Sequence, residues 1–106
     1  MFVRIATFEG VDIAAAEATT EQVREVVKPL FENMDGWKGY LDLADRSSGK
    51  MLTLAFFETD QAMQAAEPVF EEEMPRVIGP EIMQGFTGRR TSVDRYEVID
   101  QERIEL

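Results

Sequence analysis

Two residue types that the chain lacks narrow its chemistry first: its 106 residues include no His and no Cys. Histidine is the usual general base and the commonest metal ligand, and the cysteine thiolate is a common nucleophile. Catalysis would therefore depend on carboxylates, Tyr, Lys, Arg, Asn, Ser or Thr, or on the substrate itself. We expect no metal site, no bound cofactor and no disulfide bond.

The polar residues of most interest are two tyrosines and a run of carboxylates. Tyr40 and Tyr96 fall in predicted strands. Each could donate a hydrogen bond to a substrate phenolate, or simply pack with its hydroxyl satisfied. Glu71, Glu72 and Glu73 form an acidic run, and without His a solvated helix face is favoured over a metal site. The catalytic residues stay unknown at this level.

The charge and the apolar runs of the chain limit its partners. A formal net charge of -10 disfavours nucleic acid and anionic membrane surfaces, and only Arg89–Arg90 suggests a basic patch. No apolar run approaches the roughly 20 residues that a membrane-spanning helix needs. Met1 leads directly into a strand-like segment, so we expect a cytoplasmic protein with no signal peptide.

Apolar periodicity predicts four strands and two helices that must position these residues. Alternation predicts strands at 2–8, 39–45, 51–57 and 92–99, with a loop at 81–91. Thr19 and Gln22 form a capping box for the first helix, which Gly36 ends. Thr59 caps the second helix, which Pro68 breaks or restarts.

The order βαββαβ predicts a ferredoxin-like α+β domain over 1–106, with two helices on one face of a four-stranded antiparallel sheet. Right-handed crossovers are expected to bring the first and third strands together at the centre as parallel neighbours. Two helices can cover only one face of the sheet, so the other face needs a different partner or must be solvated.

The alternating residues of the strands divide into two sets. The set assigned to the helices comprises Val3, Ile5, Leu41, Leu43, Leu52, Leu54, Phe56, Tyr96 and Val98. The opposite face then carries Phe2, Phe8, Tyr40, Met51, Ala55, Phe57, Val93 and Ile99 beside Arg4, Asp42, Arg95 and Glu97, and its centre is Phe8, Tyr40, Met51 and Phe57. This mixture predicts a homodimer through the sheet face with internal ion pairs, and the alternative is a solvated face with scattered aromatics.

One passage of the chain resembles a known family. The run Gly36-Trp37-Lys38-Gly39-Tyr40 is followed by a strand, a short hairpin and a strand that ends in Phe56-Phe57-Glu58-Thr59 before a capped helix. Together with length and element order over residues 2–100, this resembles the dimeric α/β-barrel superfamily, and within it the antibiotic-biosynthesis-monooxygenase-like group.

The resemblance implies a small-molecule-binding protein, with cofactor-independent oxygenation of aromatic or polyketide-like substrates as the possible activity. The alternative is a non-catalytic ligand-binding or stress-responsive barrel. In the family, ligands often bind between the helices and the sheet, and catalytic members carry an Asn and a Trp near the sheet. Asn33 and Trp37 either form such a pair or simply end the first helix. The candidate substrate-binding residues are Trp37, Phe56, Met63, Phe70, Met74, Arg90 and Tyr96.

Overall fold

The computed structural model describes residues 1–104, so Glu105 and Leu106 at the end of the predicted domain lie outside the described residues. The described chain forms four strands, β1 (Phe2–Glu9), β2 (Trp37–Asp45), β3 (Lys50–Phe57) and β4 (Arg89–Glu97). Its helices are α1 (Ile13–Ala18), α2 (Thr20–Glu32), α3 (Asp60–Ala65), α4 (Met74–Ile78) and α5 (Pro80–Gln84), with a π-helical segment at Val69–Glu73.

The four strands form one antiparallel sheet in the order β2-β3-β1-β4, which confirms the predicted ferredoxin-like architecture. β1 and β3 are central neighbours as expected, but they run antiparallel, so the predicted parallel pairing is wrong. The reason is topological. A crossover makes β2 parallel to β1, and the tight hairpin that follows makes β3 antiparallel to both.

The face of the sheet that packs on the helices is the opposite of the one predicted. Arg4 of β1 is in register with Ala55 of β3, which is in register with Tyr40 of β2. Arg4 contacts Glu67 after α3, and the Tyr40 ring packs 5.8 Å from the ring of Phe31 in α2. The helices therefore cover the face that carries these charged and aromatic residues, which we call the covered face.

The covered face also holds the most deeply buried side chain of the chain. Phe57 is 0% exposed and packs with Ala55, Met63 and Ala66. The predicted dimer contact through Phe8, Tyr40, Met51 and Phe57 is therefore wrong, because these residues lie on the covered face of a single chain. Since a fully buried residue cannot reach a second chain, another surface must serve any dimer.

The other face of the sheet, the uncovered face, carries the apolar set that was assigned to the helices. Register pairs Val3 with Phe56, Ile5 with Leu54, and Leu54 with Leu41. Leu43 and Tyr96 at the edges of this face are 45% and 55% exposed. The other residues of this face include Thr7, Leu52, Ser92 and Asp94, with the charged residues Glu9, Asp45, Lys50 and Arg89 at the strand ends. The uncovered face is thus rich in large aliphatic side chains.

The helix boundaries predicted from capping and proline residues were most accurate in the second helical region. The Thr59 side chain accepts a hydrogen bond from the Ala62 N–H, as a helix cap should. The helix α3 ends at Ala65, and a new helical segment starts after Pro68, as predicted. Thr19 does not form the predicted capping box. Its hydroxyl donates to the carbonyl of Ala16 instead, because the unpredicted α1 ends immediately before it.

Two further boundaries differ from the sequence prediction. The region 81–91 was predicted to be a loop, but it contains most of α5 and the start of β4. Gly36 adopts a φ of +71° in the turn before β2, as its helix-ending position predicted. A Cβ at Gly36 would lie 2.9 Å from the Cβ of Ala62, so this turn also lets α3 approach β2 closely.

Candidate functional site

A cavity of about 500 Å³ lies between the covered face and the helices. Its floor is made by small side chains at the centre of the sheet, where Ala6, Thr53 and Ala55 are neighbours on β1 and β3. Large residues at those positions would fill the space, so the choice of Ala and Thr creates the cavity. The volume falls within the range of small-molecule sites.

The walls of the cavity are helical and largely apolar. Residues Thr19 to Phe31 contribute one wall, and Phe70 to Ile78 contribute the opposite wall. Ile82, Met83 and Phe86 close a third side, where the Phe86 ring meets the Phe8 ring edge-on at 5.5 Å between centroids. A cavity with aromatic and Met walls is suited to a flat, apolar ligand.

The first polar cluster of the cavity is Arg24, Tyr40 and Asp42. Arg24 Nε donates a hydrogen bond to Tyr40 Oη at 3.2 Å, which leaves the Tyr40 hydroxyl hydrogen free to be donated elsewhere. Tyr40 and Asp42 are two residues apart on β2 and both side chains line the cavity. The cluster combines a carboxylate with a hydrogen-bond donor and a fixed positive charge.

The carboxylate of this cluster is poised to bind a proton. The walls of the cavity desolvate Asp42 and raise its pKa above the usual 3.8, while the positive charge of Arg24 opposes the rise. The residue keeps solvent access, so crowding by the walls rather than complete burial causes the shift. A carboxylate with a raised pKa is a better proton acceptor at neutral pH than an ordinary one.

The second polar cluster lies on the other side of the cavity, around Arg4. Arg4 is only 3% exposed, and its guanidinium lies 4.3 Å from the centroid of the Phe70 ring. Its Nε donates to Glu67 Oε1 at 2.8 Å and its Nη2 donates to Glu71 Oε1 at 3.0 Å. A buried guanidinium needs such partners, because an unpaired charge in the interior is very costly.

Two further arginines complete this second cluster from β4. Arg90 makes a bidentate ion pair with Glu71, and Arg95 pairs with Glu67. The hydrogen bond from Arg90 lowers the pKa of Glu71 below its usual value, and desolvation opposes that effect in part. Glu71 is therefore held between two guanidinium groups and stays ionised at neutral pH.

The structure brings only three of the predicted substrate-binding residues into the cavity wall, namely Phe70, Met74 and Arg90. The others lie elsewhere. Met63 is 2% exposed in the core, and the Trp37 ring packs 5.4 Å from the ring of Phe31. Phe56 and Tyr96 lie on the uncovered face, opposite to the cavity.

Sequence reasoning overlooked Arg4, Arg24, Asp42 and Glu71 as cavity residues. One signal was present. Arg4 stands inside an apolar strand, and Glu67 and Glu71 are four residues apart, which places both carboxylates on one side of a helical segment. A charged residue inside a buried strand requires an oppositely charged partner, and this spacing offered a matching pair.

Residues 1–104 also bear on whether the protein has a metal site or a membrane-spanning helix. No group of three or more His, Cys, Asp or Glu side chains in this range is arranged to hold a metal ion. None of the helices of the described chain is long and apolar enough to cross a membrane.

Comparison with known proteins identifies the fold. No protein-family model and no curated protein matches the chain, whereas solved structures do. A proposed antibiotic biosynthesis monooxygenase from Deinococcus radiodurans matches with a TM-score of 0.61 and 18% identity over 99% of both chains. The chain has the fold of the antibiotic-biosynthesis-monooxygenase-like proteins.

Two other structures of the same fold have more specific descriptions. The heme-degrader MhuD from Mycobacterium tuberculosis, with two hemes bound in its active site, matches with a TM-score of 0.63 and 19% identity over 96% of this chain and 99% of that one. SnoaB from Streptomyces nogalater, a cofactor-independent oxygenase, matches with a TM-score of 0.61 and 12% identity over 98% and 97%. At these identities the likeness confirms the resemblance at the level of the fold.

Proposed function

We propose that the protein binds a small aromatic molecule with an ionisable hydroxyl group in the cavity, and that it oxidises this molecule with oxygen and no cofactor. The observation that carries the proposal is the Tyr40–Asp42 pair in the wall of an otherwise apolar cavity of about 500 Å³. The Asp42 carboxylate is a proton acceptor and the Tyr40 hydroxyl is a hydrogen-bond donor, and the adjacent cavity has space for flat aromatic rings.

The reaction needs ionisation of the substrate before oxygen can react. Asp42 accepts the proton of the phenol or enol hydroxyl, and the Tyr40 hydroxyl donates to the resulting oxyanion. Arg24 stabilises the negative charge through its hydrogen bond to Tyr40. Each of these residues acts on the hydroxyl end of the substrate, and the apolar walls keep water from the rings.

The ionised substrate then supplies the electrons. Its electron-rich ring carbon transfers one electron to molecular oxygen, and the substrate radical and superoxide combine to form a C–O bond. The peroxide takes up a proton. The ring carbon then loses its hydrogen as a proton while the O–O bond breaks and hydroxide leaves, so that water and a carbonyl group at that carbon are formed. One oxygen atom enters the product and the other leaves as water, so the substrate itself is the only reductant.

Haem chemistry, which MhuD performs, does not fit the donor set of this cavity. The chain contains neither His nor Cys, the commonest protein ligands of haem iron, and the cavity wall has a single tyrosine, Tyr40. The remaining polar side chains in the wall are carboxylates, arginines and threonines. Our mechanism therefore has no step that involves a metal.

Oxygen uptake with hydroxyanthracene-type substrates tests this proposal. Addition of the wild-type protein should accelerate oxygen consumption and yield the corresponding quinone, and Asp42→Asn should lower the rate about a hundredfold. Asp35→Asn, which changes a carboxylate outside the cavity, is the matched control and should keep the full rate. No uptake across a varied panel of phenols would contradict the oxygenase proposal.

A non-catalytic ligand-binding protein is the second candidate, and one position favours it. The resemblance implies a Trp near the sheet in catalytic members, and at the end of the third strand this chain has Phe57, which lies in the core rather than in the cavity wall. Binding of a phenol without oxygen uptake would support this second function over the first.

We propose further that two copies of the chain pack through their uncovered faces. The apolar residues there are Val3, Ile5, Leu41, Leu43, Leu52, Leu54 and Phe56. A contiguous apolar surface of this kind is unusual on a monomer of this size, and a second uncovered face is a self-complementary partner for it. The predicted homodimer is thereby kept, with the contact on the opposite face of the sheet.

A further inference from the structure

We infer that the ligand of this cavity carries a second, anionic group such as a carboxylate or sulfonate, and that Glu71 is an internal competitor which this group displaces from Arg90 and Arg4. The inference deepens the proposed function, because it concerns the same cavity and names the class of its ligand. It concerns binding alone and requires no turnover.

The charge of the cavity wall contrasts with that of the whole chain. Three arginines, Arg4, Arg24 and Arg90, line the cavity against two carboxylates, Asp42 and Glu71. The wall therefore carries an excess of one positive charge, whereas the chain has a formal net charge of -10. Positive charge concentrated in a concave, apolar site of an acidic protein favours an anionic ligand.

The two carboxylates that hold Arg4 are not equivalent. Glu67 binds Arg4 Nε and also pairs with Arg95, so it keeps the buried guanidinium neutralised. Glu71 binds Arg4 Nη2 and Arg90 from a more exposed position, with its side chain 39% exposed. Removal of Glu71 from the cluster would leave Arg4 still paired, and it would free donors of Arg4 and Arg90 that face the cavity.

The backbone around Glu71 is suited to such a displacement. Glu71 lies in the π-helical segment Val69–Glu73, which is bounded by Pro68 and Pro75. Segments of π-helix are rare and occur frequently at functional sites. The displacement would break the Arg90–Glu71 pair, whose side chains are 40% and 39% exposed, and the bond from Glu71 to the buried Arg4. An incoming oxyanion would regain the same two guanidinium partners.

The spacing of the two polar clusters defines the shape of the ligand. Tyr40, Ala55 and Arg4 form one row across β2, β3 and β1 of the covered face. Two strand spacings separate Tyr40 from Arg4, which is about 10 Å. A flat ligand of two or three fused rings spans this distance, with its hydroxyl at Tyr40 and its anionic group at Arg4 and Arg90.

Two fluorescent probes of nearly equal shape test the inference. Anilinonaphthalenesulfonate carries an anionic group, and N-phenylnaphthylamine has the same rings without it. Titration of the purified protein with each probe should show that Arg90→Gln weakens binding of the anionic probe roughly tenfold, because a charge-assisted hydrogen bond is lost. Binding of the neutral probe should not change.

The role of Glu71 as a competitor of the anionic group is tested by removing the charge of Glu71, which should have the opposite effect on binding. Glu71→Gln should tighten binding of the anionic probe about three- to fivefold, since a competing carboxylate is removed from Arg90 and Arg4. Arg89→Gln and Glu72→Gln alter the sequence neighbours of these residues, which lie outside the cavity wall, and should leave both affinities unchanged. A thermal melt of each variant shows that it is folded.

The outcomes separate this inference from the proposed function. If the neutral probe binds but the anionic probe responds equally to Arg90→Gln and Arg89→Gln, only the inference fails. Weaker binding of the anionic probe to Glu71→Gln would also overturn it. If neither probe binds the wild-type protein, the cavity is no ligand site and both proposals fail. Should Arg90→Gln not fold, the exposed substitution Glu71→Gln decides alone.

Discussion

The two faces of the sheet carry comparable numbers of apolar residues and differ in how charge and side-chain size are distributed. On the covered face, Ala6, Thr53 and Ala55 leave room for a cavity, and Arg4 is buried with carboxylate partners from the helical layer. On the uncovered face, large side chains such as Leu54 and Phe56 pair across the strands, and most of the ionisable residues lie at the strand ends, namely Glu9, Asp45, Lys50 and Arg89.

This difference indicates that the covered face is suited to ligand binding and catalysis, whereas the uncovered face is suited to contact with a second chain. Small side chains on the covered face leave space between the sheet and the helices. Polar groups of the covered face border this otherwise apolar space, and together they form the site. The uncovered face consists mainly of large aliphatic side chains at its centre, which are suited to contact with another flat apolar surface.

The largest expected difference between the faces concerns two adjacent phenylalanines. Phe57→Ala should lower the free energy of unfolding by about 3–5 kcal/mol at any protein concentration, because it leaves a hole in the core of one chain. Phe56→Ala, on the uncovered face, should cost less, and its cost should depend on protein concentration. Urea unfolding at two concentrations measures both, and equal losses would contradict the assignment of the faces.

A charge at the centre of the uncovered face should separate the dimer. Leu54→Lys is expected to weaken association about a hundredfold or more, because each copy would bring an unpaired charge into the contact. Light scattering at micromolar concentration should then give the mass of one chain. Val26→Lys, at an exposed position of α2, is the control and should remain dimeric. A wild-type protein that is already monomeric would refute the proposed contact.

The covered face should depend on its buried ion pairs. Glu67→Gln should lower the free energy of unfolding by about 1–3 kcal/mol, because Arg4 and Arg95 both lose a charged partner while Arg4 stays buried. The comparison variant Glu72→Gln, close by in sequence, should stay within about 0.5 kcal/mol of the wild type. Urea titration distinguishes the two. If both variants unfold alike, the cluster around Arg4 contributes nothing to stability.

The smallest expected effect is a gain at Asp42. Its pKa is raised in the folded state, so ionisation of this residue disfavours folding once the pH rises above its unfolded value near 3.8. Asp42→Asn should therefore raise the free energy of unfolding at neutral pH by no more than about 0.5 kcal/mol, because solvent screens a residue at this exposed position. The gain should vanish as the pH falls towards 3.8. A gain that is independent of pH, or one shared by Asp35→Asn, would show that ionisation is not its cause.

The sequence determined the four strands, the two main helical regions between them, their order and the residues that share a face of each strand. Alternation in β1 groups Arg4 with Phe2, Ala6 and Phe8, and the structure keeps that grouping. Three further features were predictable because each depends on a few neighbouring residues. They are the helix cap at Thr59, the helix interruption at Pro68 and the left-handed conformation of Gly36. These local signals and the element order were sufficient for the ferredoxin-like fold, although the crossover rule was used to predict the wrong relative direction of β1 and β3.

Tertiary structure alone decided which face the helices cover and which residues form the site. A period of two separates a strand into two sets, but it does not state which set is inside when both are rich in apolar residues. The presence of Arg4 and Asp42 suggested solvent or a dimer contact. The decision came instead from carboxylates 63 and 67 positions away along the chain, which neutralise Arg4 and make its burial possible. Such long-range pairing has no local signal, because charge compensation depends on where the chain returns in space.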